Sequence, residues 1–205
     1  MSRQYTEEED KLISWFKDNY KNIIAGLLFG VFVVFGFKYY SDLNANKQYE
    51  ISLKYEQAIK EYKDNKYDKA ISLSKDYQAA YPSNIYTSMI SLYVAKIYHD
   101  QEMYKESLES LKFIINNSKS KEMQMIASTR YTRILILQEK YNDAKDFITS
   151  IAGYNNNILL LEMLGDISYL QSDISKAKDY YRACLKLETT PNSRIIIENK
   201  LNSVQ

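Results

Sequence analysis

Four short stretches of this chain are written in one frame: Asn65-Lys-Tyr67-Asp-Lys-Ala70, Glu102-Met-Tyr104-Lys-Glu-Ser107, Glu139-Lys-Tyr141-Asn-Asp-Ala144 and Ser172-Asp-Ile174-Ser-Lys-Ala177. Each has a turn, an aromatic or apolar residue, two polar residues and a small one, and the small residues stand 37, 37 and 33 positions apart. Self-similarity at such a period constrains the fold more than any single motif, because each unit must bury its apolar face on its neighbour. The units are helical. From Ser41 to Gln205 the chain has only Gly153, Gly165, Pro82 and Pro191 as breakers, and helical spacing recurs in Ile90, Val94 and Ile97 and in Leu108, Leu111 and Ile115.

A period near 34 residues predicts helix-turn-helix repeats of the tetratricopeptide type. In that frame the small residue opens the second helix of each hairpin, where a larger side chain would push the pair apart. Ala58, Ala95 and Gly165 take the small position of the first helix, with Thr132 there in the third repeat; Tyr98 and Tyr181 take aromatic positions, Ser74 stands where the first repeat lacks one, and Pro82 is the terminal proline. The expectation is an all-α protein: a right-handed solenoid of four degenerate hairpins near residues 45–82, 83–118, 121–152 and 156–188, closed by a helix over 192–203.

Ahead of the repeat, residues 23–37 carry no charge and contain Gly26, Gly30 and Gly36. With Tyr20 and Lys21 before the run and Lys38, Tyr39 and Tyr40 after it, rings can sit at both headgroup levels while lysine stems snorkel. Residues 20–40 as a helix rise about 31 Å, which matches the ~30 Å hydrocarbon core. A cleaved signal peptide competes with this reading, but Phe37 to Ala45 offers no small-x-small site and no early cysteine could take a lipid. The expectation is an uncleaved single-pass anchor, with residues 1–19 as a tail and 41–205 as the repeat domain. Arg3, Lys11, Lys17 and Lys21 against Lys38, Lys47 and Lys54 leave its orientation a near tie. Gly26 and Gly30 form a G-x-x-x-G pair, a pattern through which transmembrane helices pack closely.

Composition excludes other classes. One cysteine, Cys184, and one histidine, His99, leave no disulfide, thiolate-clustered metal site or multi-histidine site. With 27 basic and 26 acidic side chains there is no electrostatic footprint for nucleic acid. Twenty tyrosines accompany a general over-use of Tyr, Lys, Asn, Ile and Phe, as an AT-rich genome would give, and are not by themselves an interface. Cys184 is expected as a packed core side chain. His99 beside Asp100 lacks any nucleophile signature, and no phosphate-cradling glycine loop exists, so no enzyme, cofactor or metal is expected.

Binding is the expectation instead, on the concave face lined by the first helices. Its exposed positions in the repeat frame are Tyr55, Ile59 and Tyr62, then Leu92, Lys96 and His99, then Thr129 and Arg133, then Glu162, Asp166 and Tyr169. This mixed lining suits extended or unfolded polypeptide better than one acidic tail, because the cation pattern that clamps a terminal carboxylate is absent from it.

The order of parts resembles the YfgM family of ancillary subunits of the bacterial Sec translocon. The resemblance is carried by Trp15-Phe16, Asn19 and Lys21, by Gly26, Gly30 and Gly36, by the exit Lys38-Tyr39-Tyr40, and by Ser52-Leu53-x-Tyr55-x-x-Ala58; it is sharp from residue 12 to 60 and beyond that rests on the repeat frame. It implies a single-pass protein of the inner membrane with a cytoplasmic N-terminus and a periplasmic repeat domain. It also implies association with SecYEG and with a PpiD-like periplasmic chaperone, receipt of emerging secretory polypeptides, and a link to envelope stress. An adaptor of another envelope assembly or secretion machine is the alternative, because a repeat surface does not name its ligand.

Overall fold

The computed structural model describes residues 7–187 and 190–204, and among these no strand occurs. Nine α-helices follow one another: α1 Glu7–Lys63, α2 Tyr67–Ala80, α3 Ile85–Asp100, α4 Tyr104–Asn117, α5 Lys121–Leu137, α6 Tyr141–Ser150, α7 Ile158–Leu170, α8 Ile174–Lys186 and α9 Pro191–Ser203. Arg3, one of the cations in the charge tie, lies outside the described residues. The chain divides into two units between Lys54 and Tyr55.

In the first unit, residues 23–37 of α1 are apolar on every side and none of them is buried: Leu27, Phe29, Phe32, Phe35 and Phe37 are all exposed. A helix hydrophobic all round belongs in an apolar surrounding, and α1 is long and apolar enough to cross a membrane. The expected boundaries at residues 20, 40 and 45 are positions along this one helix and not breaks in it. Tyr20, Tyr39 and Tyr40 are exposed, and the Lys21 ammonium lies 6.0 Å from the centre of the Tyr20 ring. A Cβ added at Gly26, Gly30 or Gly36 would meet nothing within 4 Å.

In the second unit the repeat frame becomes a stack in which α2 packs on α3, α3 on α4, and so on to α8 on α9. The small residues that open the second helices, Ala70, Ser107, Ala144 and Ala177, are all buried. Ser107 fits because its hydroxyl donates to the carbonyl of Ala95, the small residue of the facing helix, at 2.7 Å. Thr132 is likewise buried with its hydroxyl on the Ser128 carbonyl at 2.9 Å. At Gly165 the approach is closest: an added Cβ would stand 2.4 Å from the Tyr181 ring.

One turn serves all four hairpins. Asn65, Glu102, Glu139 and Ser172 adopt left-handed backbone, with φ of 60°, 59°, 57° and 62°. The amide after each one donates five residues back, Lys66 to Glu61, Met103 to Tyr98, Lys140 to Leu135 and Asp173 to Ser168, at 2.8–2.9 Å. These are Schellman caps built without glycine. Between hairpins the helices start differently: Asn84, Ser120, Asn157 and Thr190 each accept an amide of the first turn of α3, α5, α7 or α9, satisfying donors the helix itself cannot. Gly153, at φ 76°, leads into a short 3-10 turn with left-handed backbone that favours glycine.

The core runs along the helix interfaces. Leu111, Ile114, Ala127 and Ile134 belong to one cluster, and Ile148, Leu160, Leu164, Ile167, Tyr181, Cys184 and Ile197 to another that α9 closes. Cys184 is fully buried with its thiol on the Ile158 carbonyl. Burial pushes that thiol up to about 11, so it is a core side chain.

Candidate functional site

The first helices α3, α5 and α7, with α9 after them, border two neighbouring hollows. One, of about 290 Å³, is floored by Ala95, Leu111 and Ile134 and rimmed by Lys96, His99, Asp100, Arg130 and Arg133. The other, of about 470 Å³, is lined by Arg133, Ile136, Leu159, Met163, Tyr169 and Leu170 beside the charged trio Glu162, Asp166 and Lys200. Six of the residues expected on the binding face, Lys96, His99, Arg133, Glu162, Asp166 and Tyr169, line these hollows.

The charges in the first hollow are unevenly matched. The Lys96 ammonium is 2.6 Å from Asp100, and His99 Nδ1 is 3.5 Å from the same carboxylate. The Lys96 hydrogen bond holds the Asp100 carboxyl below the usual carboxylate range. His99 itself is exposed and meets the Tyr104 ring edge-on, with centroids 5.8 Å apart. Arg130 and Arg133 are exposed, one helical turn apart on α5, and neither has an ion-pair partner among the described residues.

The second hollow is closed by its own chain. Lys200 of α9 reaches Glu162 at 2.6 Å and the two oxygens of Asp166 at 2.8 and 2.7 Å. Tyr181 donates its hydroxyl to Asp166 at 2.8 Å. Burial opposes the charge on Lys200, but its hydrogen bonds to Asp166 and Glu162 outweigh this and raise its pKa. Burial first, and then the Asp166 bond, push the Tyr181 phenol well up. Glu162 and Asp166, expected as exposed binding positions, are therefore part-buried and already hydrogen-bonded within the chain.

Other positions differ from the expectation too. Thr129 is buried at 7% exposure with its hydroxyl on the Met125 carbonyl at 2.9 Å. The reason is local: Ala127, Ser128 and Thr129 are consecutive and all buried, so α5 is enclosed over about 200° of its circumference there. Tyr55, Ile59 and Tyr62 are half-buried. The Tyr55 ring lies 5.0 Å from that of Tyr86, and the Tyr62 ring 4.9 Å from that of Tyr93; these aromatic contacts join the first hairpin to the second. Leu92 is half-buried against the core beneath α3. Tyr169 is 48% exposed. Arg130, absent from the expected positions, lines the first hollow with Arg133. Its signal in the sequence is the pairing of Arg130 with Arg133 at the same i, i+3 spacing as Lys96 and His99 on α3.

Among known proteins, the model of the tetratricopeptide repeat-like domain family matches residues 13–205. A protein of Escherichia coli named ancillary SecYEG translocon subunit is 20% identical over 203 residues, which cover 98% of each chain. The protein of that name in Neisseria gonorrhoeae is 24% identical over 202 residues, 97% of this chain and 96% of that one. One in Buchnera aphidicola, again of that name, is 27% identical over 188 residues, 90% of this chain and 95% of that one. The resemblance drawn from the residues around the span thus extends along the whole chain.

Proposed function

Because this chain belongs to the tetratricopeptide repeat-like domain family, we propose that it is a membrane-anchored adaptor, not an enzyme, ancillary to the Sec translocon. Residues 20–40 span the bacterial inner membrane, the N-terminus is cytoplasmic and the repeat lies in the periplasm. There it holds a PpiD-like chaperone and receives emerging secretory polypeptides on the face bordered by α3, α5 and α7. One observation carries the reading: an apolar segment long enough to cross a membrane, none of it buried, precedes the repeat in the same chain, so whatever the repeat binds is tethered to the membrane. That relatives of near-equal length are named for the SecYEG translocon supports the choice of machine. The anchors Tyr20, Lys21, Lys38, Tyr39 and Tyr40 fix the depth of the span. Gly26, Gly30 and Gly36, which pack on nothing within the chain, offer a close-approach surface to another membrane helix.

Photocrosslinking in cells tests this, with probes at Leu28 in the span and Lys96 on the α3 face and the adducts identified by mass spectrometry. The expected adducts are Sec channel subunits from Leu28 and a periplasmic chaperone or secretory chains from Lys96. Reproducible adducts to a different envelope complex, with none to the Sec channel, would overturn the assignment.

A further inference from the structure

The hollow between α3 and α5 carries a charge imbalance that the fold does not explain. Among the described residues, only Lys96 of its three permanent cations has a counter-ion, Asp100 at 2.6 Å. The same Asp100 also faces His99, so its carboxylate is engaged from two sides and is not left over for the arginines. Arg130 and Arg133 stand one turn apart on the α5 side, above a floor of Ala95, Leu111 and Ile134. The second hollow shows how this fold treats charges that serve its own packing, because Lys200 there takes up both Glu162 and Asp166. Two guanidiniums beside an apolar floor, with no carboxylate of their own, make a receptor for the opposite arrangement.

We infer that the α3–α5 hollow binds an acidic, extended polypeptide segment of a partner protein, one whose side-chain carboxylates meet Arg130 and Arg133 while a neighbouring apolar side chain settles on Ala95, Leu111 and Ile134. The inference deepens the adaptor reading, on which it rests for the nature of the ligand, by naming the ligand's chemistry. Guanidinium presents planar paired donors that match carboxylate geometry. Ala95, Leu111 and Ile134 are themselves buried, so the discrimination that charge alone lacks comes from the ligand's own apolar side chain leaving water over them, which a fully hydrated anion cannot supply. Charge complementarity of this kind acts on encounter rate and partner choice and weakens with salt.

The test uses the full chain in nanodiscs of uncharged lipid and two fluorescent twelve-residue peptides. One alternates Asp or Glu with Leu, and the other carries Asn or Gln at the acidic positions. The acidic peptide is expected to bind, with affinity falling as salt rises, and the amide peptide to bind at least about tenfold more weakly, the scale of one lost charge-assisted hydrogen bond. R130Q/R133Q is expected to abolish that preference, and R130E/R133E to transfer it to a Lys–Leu peptide. Both variants alter exposed positions and should keep the thermal midpoint of the parent, which circular dichroism checks. If the two peptides bind equally, the inference fails while the polypeptide-binding adaptor stands. If neither binds and the Lys96 crosslinks also find no polypeptide, both fail. Arginine-dependent binding to vesicles of anionic lipid, or arginine-dependent self-association by sedimentation, in place of peptide binding would overturn it as well.

Discussion

The α3–α5 hollow and the α7–α9 hollow lie on the same series of helices, share Arg133 and were built by the same repeat, yet the first leaves Arg130 and Arg133 without carboxylates among the described residues and the second draws Glu162, Asp166 and Lys200 into one network. The difference comes from the next element along the chain in each case. After α3 and α4 comes another hairpin, whose first helix α5 adds Arg130 and Arg133 to the rim. After α7 and α8 comes α9, whose Lys200 reaches back across the hollow to Glu162 and Asp166. Here α9 covers the apolar face of the fourth hairpin, and it also neutralises the carboxylates that face would present. The lesson is that equivalent positions of a repeat are equivalent in backbone but not in availability.

The most severe way to break the closed end is to fill the space at Gly165. An added Cβ would stand 2.4 and 2.7 Å from two atoms of the Tyr181 ring. That ring is buried, and its hydroxyl is held by Asp166 at 2.8 Å, so it cannot swing aside cheaply. Gly165→Leu is expected to cost about 3 kcal/mol, at the upper end for overpacked cores. In thermal melts of the membrane-reconstituted chain the midpoint should fall by roughly 6–12 °C. An unchanged midpoint would mean that α7 and α8 are not held together at this contact.

Lys200→Met is a smaller disturbance at the same end. It leaves Glu162 and Asp166, four residues apart on α7, facing each other without a cation. The side chains of the trio retain 22–36% exposure, so solvent screens part of the loss, and about 1–2 kcal/mol is expected. Adding Glu162→Gln and Asp166→Asn should restore most of it, a recovery that a purely steric role for Lys200 would not produce.

How much of this was legible in the sequence depends on the range of the interaction involved. The hairpins were readable because Ala70, Ser107, Ala144 and Ala177 recur at a fixed period and each opens a helix that must pack closely. The span was readable because fifteen uncharged residues need no partner to be recognised. The lining of the two hollows was only partly so. The third hairpin was assigned Thr129 and Arg133: Arg133 lines both hollows, but the structure buries Thr129 and exposes Arg130, an offset of one residue that turns a helix face by about 100°. The loss of Glu162 and Asp166 to Lys200 was invisible, because those pairings span 38 and 34 residues and no local pattern announces them. The turns were seen as turns, but nothing in Glu102 or Glu139 marks a left-handed backbone.

Alkaline pH should loosen the repeat, and the closed end should contribute much of the effect. The Cys184 thiol is pushed up from 9.0 to about 11 by burial, and the Tyr77 phenol from 10.0 to about 12 by burial and then by Tyr81; Lys200 and Tyr181 are raised as well. In every case the folded chain holds the proton more tightly than the unfolded one. Their contributions are therefore complete below the unfolded values and are lost as pH rises through the folded ones. The midpoint should stay level to about pH 9 and then decline towards pH 12, and Cys184→Ala should delay the start of the decline. A midpoint that rises with pH across this window would contradict the burial of these groups.

The smallest expected effect separates backbone from side chains. Asn65, Glu102, Glu139 and Ser172 hold φ between 57° and 62°, a region that costs a residue with a Cβ about 1–2 kcal/mol and glycine almost nothing. Against this, glycine gains freedom in the unfolded chain worth about 0.5–1 kcal/mol. Glu102→Gly, in the hairpin beside the open hollow, and Ser172→Gly, in the hairpin beside the closed one, should therefore each stabilise the chain by up to about 1 kcal/mol. Asn65→Gly should be nearly neutral, because asparagine tolerates this backbone. If the two hollows differ only in the side chains that reach them, the gains at Glu102 and Ser172 should agree within about 0.5 kcal/mol, the margin within which distant sites are additive. A gain at one turn and a loss at the other, measured by paired thermal melts, would show that the two hairpins differ in backbone strain and that the contrast between the hollows starts in the turns.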